Sequence, residues 1–268
     1  MPDWVTGKLT VTGNGAHELI LSHCEKDENG DYTTDGDTGD RCFDFNTIVT
    51  MPKELDIIAG SVTEECMLLF INGMLEGCPA YEKYAELYKK YKGGKRFRLD
   101  NYPIQMSEED FRSLTEKVLK FYHDPDEEPC FRTKADVYAY GKQALDNYAT
   151  YGFADWYGWR VAKWGTKSNA CANIIHGNEA WFDTAWSPAI PVIKKLAELH
   201  PDMSFLYEYA NEQRGEGVGW VEFVNGKMSD EARYDNFSKE AYEQAFMLLG
   251  GREDYAFDKK TGTYKFLG

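Results

Sequence analysis

The chain has 268 residues, 43% of them apolar and 15% aromatic, including 7 Trp and 18 Tyr; this excludes a disordered chain and leaves room for one large or two modest self-sufficient cores. Thirty Lys and Arg stand against 45 Asp and Glu, a net charge of -15, which disfavours adhesion to nucleic acid or anionic lipid and favours basic partners. No run approaches the roughly 18 apolar residues of a membrane span, the start Met1-Pro2-Asp3-Trp4 has no leader pattern, and the 6 cysteines form no C-x-x-C pair, so a reduced, cytoplasmic protein without membrane association is expected.

Val5 to Thr12 alternates apolar and polar residues and stops at Gly13-Asn14-Gly15, which predicts a strand ended by a turn. Ala16 to Glu25 reads as a short helix. Asp27 to Asp40 is rich in Asp, Gly and Thr and reads as a structureless loop. Phe43, Phe45, Ile48 and Val49 then predict a second strand, ending at Met51-Pro52. From Lys53 to Tyr148 the character turns helical: Val62 to Leu75, Ala80 to Tyr91, Glu108 to Tyr122 and Ala135 to Tyr148 repeat apolar residues every three or four positions. Ser107 before three acids predicts a capped helix start.

Asp155 to Trp164 predicts another helix, and the pattern then returns to strands. Ala172 to His176 and Glu179 to Ala185 flank the hairpin pair Gly177-Asn178. Ser187-Pro188 predicts the cap of a helix that ends at His200-Pro201. Met203 to Tyr209 and Val218 to Val224 are strands, the second turning at Asn225-Gly226, and Ser238 to Leu249 is a final helix. The order implies an α+β, ferredoxin-like split βαβ sandwich with an antiparallel sheet, a large helical insertion and an extra C-terminal hairpin and helix. The expected division is 1–52 for the first β-α-β half, 53–150 for the insertion, 151–228 for an aromatic linking helix and the second half, and 229–268 for the extension.

On a helical wheel Trp156, Trp159, Arg160, Lys163 and Trp164 share one face. Two readings follow. The face could stack a base or sugar and hold a phosphate with Arg160 or Lys167, or the indoles could pack on the sheet under the cationic stems. With Asp183 and Trp186, the ligand-binding candidates are Trp156, Trp159, Arg160, Trp164, Lys167, Asp183 and Trp186. Gly165-Thr166-Lys167 lacks the upstream glycines of a phosphate loop, and Gly13-Asn14-Gly15 reads as a plain turn. Asp27 to Asp31 starts like a calcium loop but has Tyr32 where glycine belongs. No metal or cofactor is expected. Lys89 to Arg98 mixes bases with aromatics, suiting either single-stranded nucleic acid or a helix end. No motif names a catalytic residue, so the sequence leaves open whether the chain is an enzyme.

The string Tyr151-Gly152, Asp155-Trp156-Tyr157, Trp159-Arg160, Trp164 to Lys167, then Phe182 to Pro188 and Gly219-Trp220, resembles the YubB-like family. That family is borne on conjugative plasmids and phages and is described as having a ferredoxin-like domain without an established activity. This chain departs from it at Ser168 and Val5, where the family often has Trp and Cys or Asn. The resemblance implies a mobile-element protein and transfers no catalytic residue. The leading expectation is a non-enzymatic interaction protein acting on a basic surface of a host protein, in its sharper form an acidic nucleic-acid mimic. The alternative is a nucleotide- or small-ligand-binding protein using residues 155–167.

Overall fold

The computed structural model describes residues 3–74, 79–94, 104–121 and 129–268. It divides into two compact units, one formed by residues 1–50 with 160–268 and one by residues 51–159.

The first unit is built on β1 (Trp4–Thr12), where Val5, Gly7, Leu9 and Val11 are buried and their neighbours are not. This strict alternation commits one face of the strand to a core. α1 (Ala16–Ser22) follows, and the chain re-enters the sheet through β2 (Cys171–His176) and β3 (Glu179–Ala185). α7 (Ile190–Leu199), β4 (Ser204–Asn211), β5 (Gly219–Val224) and β6 (Lys227–Arg233) come next. The sheet order is β2-β3-β1-β4-β5-β6, with every pair antiparallel. Its first four strands, with α1 and α7, are the β-α-β-β-α-β unit of a ferredoxin-like fold. α8 (Lys239–Leu249) and the hairpin of β7 (Tyr255–Asp258) and β8 (Thr263–Phe266) complete the unit.

The inner face of the sheet carries an aromatic stack. Phe182 of β3 lies parallel to Phe43 and to Tyr207 at 5.7 and 5.8 Å between centroids. Phe45 meets Phe182 and Trp164 edge-on. Each pair adds about 0.5–1.5 kcal/mol beyond its area burial.

Residues 43–49 are not the second strand that their alternation predicts. Phe45–Thr47 is a 3₁₀ turn capped by Asp44, whose side chain accepts the Asn46 N–H. The Phe43 and Phe45 N–H groups donate to the side-chain oxygens of Asn173 and Asn169. Side-chain amides thus take the place of a neighbouring strand, and β2 fills the position assigned to residues 43–49. Residues 27–40 are also ordered by specific bonds, contrary to the structureless reading. Asp35 Oδ2 accepts the backbone and side-chain N–H groups of Asn173, each at 3.0 Å, and Asp40 Oδ2 accepts the Ile175 N–H. The acidic loop therefore satisfies donors of β2 at the sheet edge, which protects it from further pairing. Burial pushes the Asp35 carboxyl up, but these bonds and those from the Asp37 and Thr38 N–H groups outweigh it and hold the group below its ordinary value.

The predicted cap at Ser187 is also absent. α7 starts at Ile190 after Ala189, with Pro191 in its first turn. The Ser187 hydroxyl donates instead to the Gly165 carbonyl at 2.7 Å.

The second unit is helical: α2 (Ser61–Asn72), α3 (Pro79–Gly93), α4 (Glu108–Leu119) and α5 (Lys134–Tyr151). Its helix starts are chemically fixed. Ser107 accepts the Asp110 N–H, and Thr133 with Asp136 forms a reciprocal capping box. Nine of the twelve α2 residues are buried, which makes it the central helix. It meets α5 at Gly141, where a Cβ atom would lie 2.1 Å from the Cys66 carbonyl oxygen, so only glycine permits this approach. Glu64 and Glu65 are buried in α2 with partners: Tyr88 donates to the first at 3.0 Å, and Lys117 pairs with the second at 2.5 Å. The division between the units falls inside α6 (Trp156–Lys163).

Two stability measurements test this description. Asn173→Ala removes a donor from buried Asp35 and the acceptor of the Phe43 N–H, and is expected to cost about 1–3 kcal/mol by urea denaturation. Asn29→Ala, in an exposed turn, should be near neutral. The second concerns His23, whose pKa is lowered from 6.5 to about 4 by burial and the nearby His200, against a smaller opposing effect of Asp44. The unfolded chain binds this proton first, so the stabilisation is complete above about 6.5 and is lost as pH falls towards about 4. The melting temperature should fall across that window, and His23→Gln should flatten the fall.

Candidate functional site

The seven candidate residues divide between the two units. Trp156 and Trp159 belong to the helical unit and the other five to the sheet-bearing unit. Trp159 is buried and Trp164 fully so; the Trp164 indole N–H donates to the Val49 carbonyl at 2.8 Å. Their burial corrects the idea that these two indoles offer free faces for stacking. The Arg160 guanidinium lies 4.9 Å from the Trp164 ring centroid, so the cation covers the indole. Thr166 is buried and donates to the Ala185 carbonyl. Gly165 takes a left-handed φ of 83°, and a Cβ there would lie 2.4 Å from Pro191 Cδ. Residues 165–167 are therefore a close-packed turn.

Lys167 and Trp186 do come together in the open. The Lys167 ammonium stands 4.7 Å from the Trp186 centroid, and Trp186 is 49% exposed. Asp183 lies elsewhere, on the outer face of the sheet. Its Oδ1 accepts the Thr6 hydroxyl at 2.6 Å. Burial raises its pKa, the Thr6 bond lowers it, and Glu212 adds to the rise, with a net upward shift.

That outer face is an ordered polar surface. The strand registers align Ile174, Trp181, Lys8, Glu208, Trp220 and Ala232 in one row across all six strands. The next row is His176, Glu179, Thr10, Leu206, Glu222 and Asp230. Lys8 is the one lysine of these rows: its ammonium is 2.8 Å from Glu179, 4.0 Å from Glu208 and 5.3 Å from the Trp181 centroid. Its hydrogen bond holds the Glu179 carboxyl below its ordinary value. α8 covers the face around Ala210, and Gln244 of α8 donates to Glu208 at 2.8 Å. Leu206, Glu208, Trp220, Glu222 and Gln244 line a cavity of about 290 Å³ there. Trp181 and Trp220 give the face flat apolar area, while Glu179, Asp183, Glu208, Glu222 and Asp230 give it negative charge. Such a surface can hold cationic side chains by charge and by cation–π contact.

Sequence reasoning found Asp183 and missed the rest of this face. The signal was present as alternation, with Trp181 and Asp183 on β3, Leu206 and Glu208 on β4, and Trp220 and Glu222 on β5. Only the pairing of the strands turns those alternations into rows.

The basic and aromatic run Lys89 to Arg98 is described only as far as Gly94; Lys95 to Arg98 lie outside the described residues, as does Cys78. Among the described residues no group of His, Cys, Asp and Glu could hold a metal ion, and no helix is long and apolar enough to cross a membrane.

The two exposed and buried indoles should separate under mutation. Trp164→Ala is expected to cost about 3–5 kcal/mol in chemical denaturation. Trp186→Ala, which loses a half-exposed ring and one cation–π contact, should cost about 1 kcal/mol or less.

Residues 163–267 match a family model described as the ferredoxin-like domain in Api92-like protein. No curated protein matches the chain. Among solved structures the chain is similar to a protein api92 from Yersinia pseudotuberculosis, with 13% identity over 88% of this chain and 99% of that one, at a TM-score of 0.35. That score is too low to argue a shared arrangement of the whole chain. The matched segment spans β2 to β8, and β1 with α1, from the start of the chain, completes its ferredoxin-like topology.

Proposed function

We propose that this is a non-enzymatic interaction protein that docks the acidic, tryptophan-bearing outer face of its sheet on a basic surface of another protein. The observation that carries the reading is the pair of cross-strand rows, in which Glu179, Glu208, Glu222 and Asp230 flank two indoles and one lysine. Net charge of -15 favours the same class of partner and speeds its encounter. The resemblance to the YubB-like family of plasmids and phages supports a role in a mobile element, with a host protein in the cytoplasm as the partner. In the sharper form of the proposal the carboxylates stand in for phosphates, and the partner is a nucleic-acid-binding protein whose basic groove they fill.

The alternative, a nucleotide or small ligand on residues 155–167, has lost two of its stacking surfaces to the interior, since Trp159 and Trp164 are buried. Lys167 over Trp186 is the exposed remnant of that idea.

The docking proposal is tested with a labelled, Lys/Arg-rich peptide followed by fluorescence anisotropy. Binding should weaken steeply with salt. Neutralising the face by Glu208→Gln, Glu222→Gln and Asp230→Asn together should weaken it about tenfold, since each exposed pair contributes about 0.2–1 kcal/mol. A control triple in the same unit, Glu240→Gln, Glu253→Gln and Asp254→Asn, removes the same net charge and should have a much smaller effect. Equal losses in the two triples would mean that net charge, and not this face, holds the peptide.

A further inference from the structure

The sheet-bearing unit contains a cavity of about 550 Å³, within the ~300–1,000 Å³ range of small-molecule sites. One wall is apolar: Pro188, Ile190 and Pro191, around the start of α7, line it and are half-buried. Another belongs to the sheet, where Tyr209 of β4 and Arg233 of β6 line the cavity.

The strand registers bring these two side chains together. Gly219 of β5 pairs with Tyr209 on one side and with Arg233 on the other, so the three stand in one row on the inner face. A Cβ at Gly219 would lie 2.6 Å from the Tyr209 hydroxyl; glycine therefore lets the phenol reach across β5 towards the edge strand. Burial raises the Tyr209 phenol, Arg233 opposes the rise by its charge and by a hydrogen bond, and Glu231 adds to it. A phenol oxygen that accepts from a guanidinium keeps its own proton to donate. Asn236, just beyond β6, also lines the cavity. Its Oδ1 accepts the Gly217 N–H at 3.2 Å, which leaves its amide N–H groups to donate. Among the described residues that line the cavity, Arg233 is the one charged group. It is exposed, and among the described residues it forms no ion pair.

We infer that this cavity binds a carboxylate carried on an aromatic body, with the carboxylate on Arg233 and the ring against the proline wall. A planar guanidinium matches a carboxylate through two parallel hydrogen bonds. Tyr209 and Asn236 offer further donors to the same group, and the half-buried prolines and Ile190 give the ring apolar area to cover. Inorganic phosphate would meet a single cation and an apolar wall that cannot replace its hydration. An organic cation would be repelled by Arg233. Tyr209 and Arg233 stand on the inner face, so this site is separate from the docking face, and its failure would leave the docking proposal standing.

Titration calorimetry on the full chain tests the inference with 3-phenylpropionate, its neutral amide 3-phenylpropanamide, and inorganic phosphate. The acid should bind saturably, with the amide and phosphate at least about tenfold weaker. Arg233→Gln should weaken the acid about tenfold and leave the amide unchanged. Lys227→Gln, at the start of the same exposed strand, removes the same charge and should change neither. Tyr209→Phe keeps the ring, loses the hydroxyl and should weaken the acid severalfold, with the melting temperature of each variant reporting that it is folded. The tripeptide acetyl-Ala-Ala-Phe with a free carboxylate carries the same chemistry at a chain end: tighter binding than the free acid assigns the carboxylate to a peptide terminus, and weaker binding assigns it to a small molecule. The absence of saturable binding by both acid and peptide, equal binding of the amide, or undiminished binding to a folded Arg233→Gln protein would each overturn the assignment.

Discussion

The sheet-bearing unit depends on the two-sided pairing of β1. A nine-residue strand near the start of the chain hydrogen-bonds to β3 on one side and β4 on the other, so no part of the sheet can close until residues 179–211 have been reached. The loop-closure cost of such distant pairing grows only slowly with the length of chain between. This makes a long insertion tolerable in thermodynamic terms. It also places every side chain of the outer face, because a slip of one residue in either pairing would exchange Lys8 for Leu9 or Gly7 and put the core on the outside.

The same pairing explains the division of labour between the two faces. On the inner face Phe182 must meet Tyr207 across β1, and this is possible because the intervening position is Gly7, where a Cβ would lie 2.5 Å from the Tyr207 hydroxyl. Phe43, Phe45 and Trp164 then seal the stack, with Arg160 over Trp164. The outer face carries no such stack. Its rows alternate aromatic, cationic and acidic groups, and its ion pair between Lys8 and Glu179 is partly exposed, where such a pair adds little to stability. A surface of this kind is better suited to recognition than to holding the fold together.

Much of the fold was legible because periodicity and turn chemistry agreed. β1, the hairpin at Gly177-Asn178, β4, β5 and the main helices follow directly from alternation, three-to-four spacing and the cap at Ser107. The failures share a cause, which is side chains substituting for backbone partners. Phe43 and Phe45 have strand-like spacing, but their N–H groups end on Asn169 and Asn173, and an acidic loop that reads as solvated spends Asp35 and Asp40 on β2. The site was less legible than the fold. A helical wheel records only the spacing of the indoles of residues 156–164 and cannot show that Trp159 and Trp164 are buried, and the outer-face rows depend on registers between strands far apart in sequence.

The central claim, that the outer sheet face is the docking surface for basic partners, is tested most directly by mapping backbone amide shifts while a Lys/Arg-rich peptide is titrated at low salt. The account predicts shifts concentrated on residues 6–10, 179–183, 206–208 and 220–222, fading as salt is added. Shifts concentrated around Lys167 and Trp186, or spread over the acidic surface without preference, would contradict it.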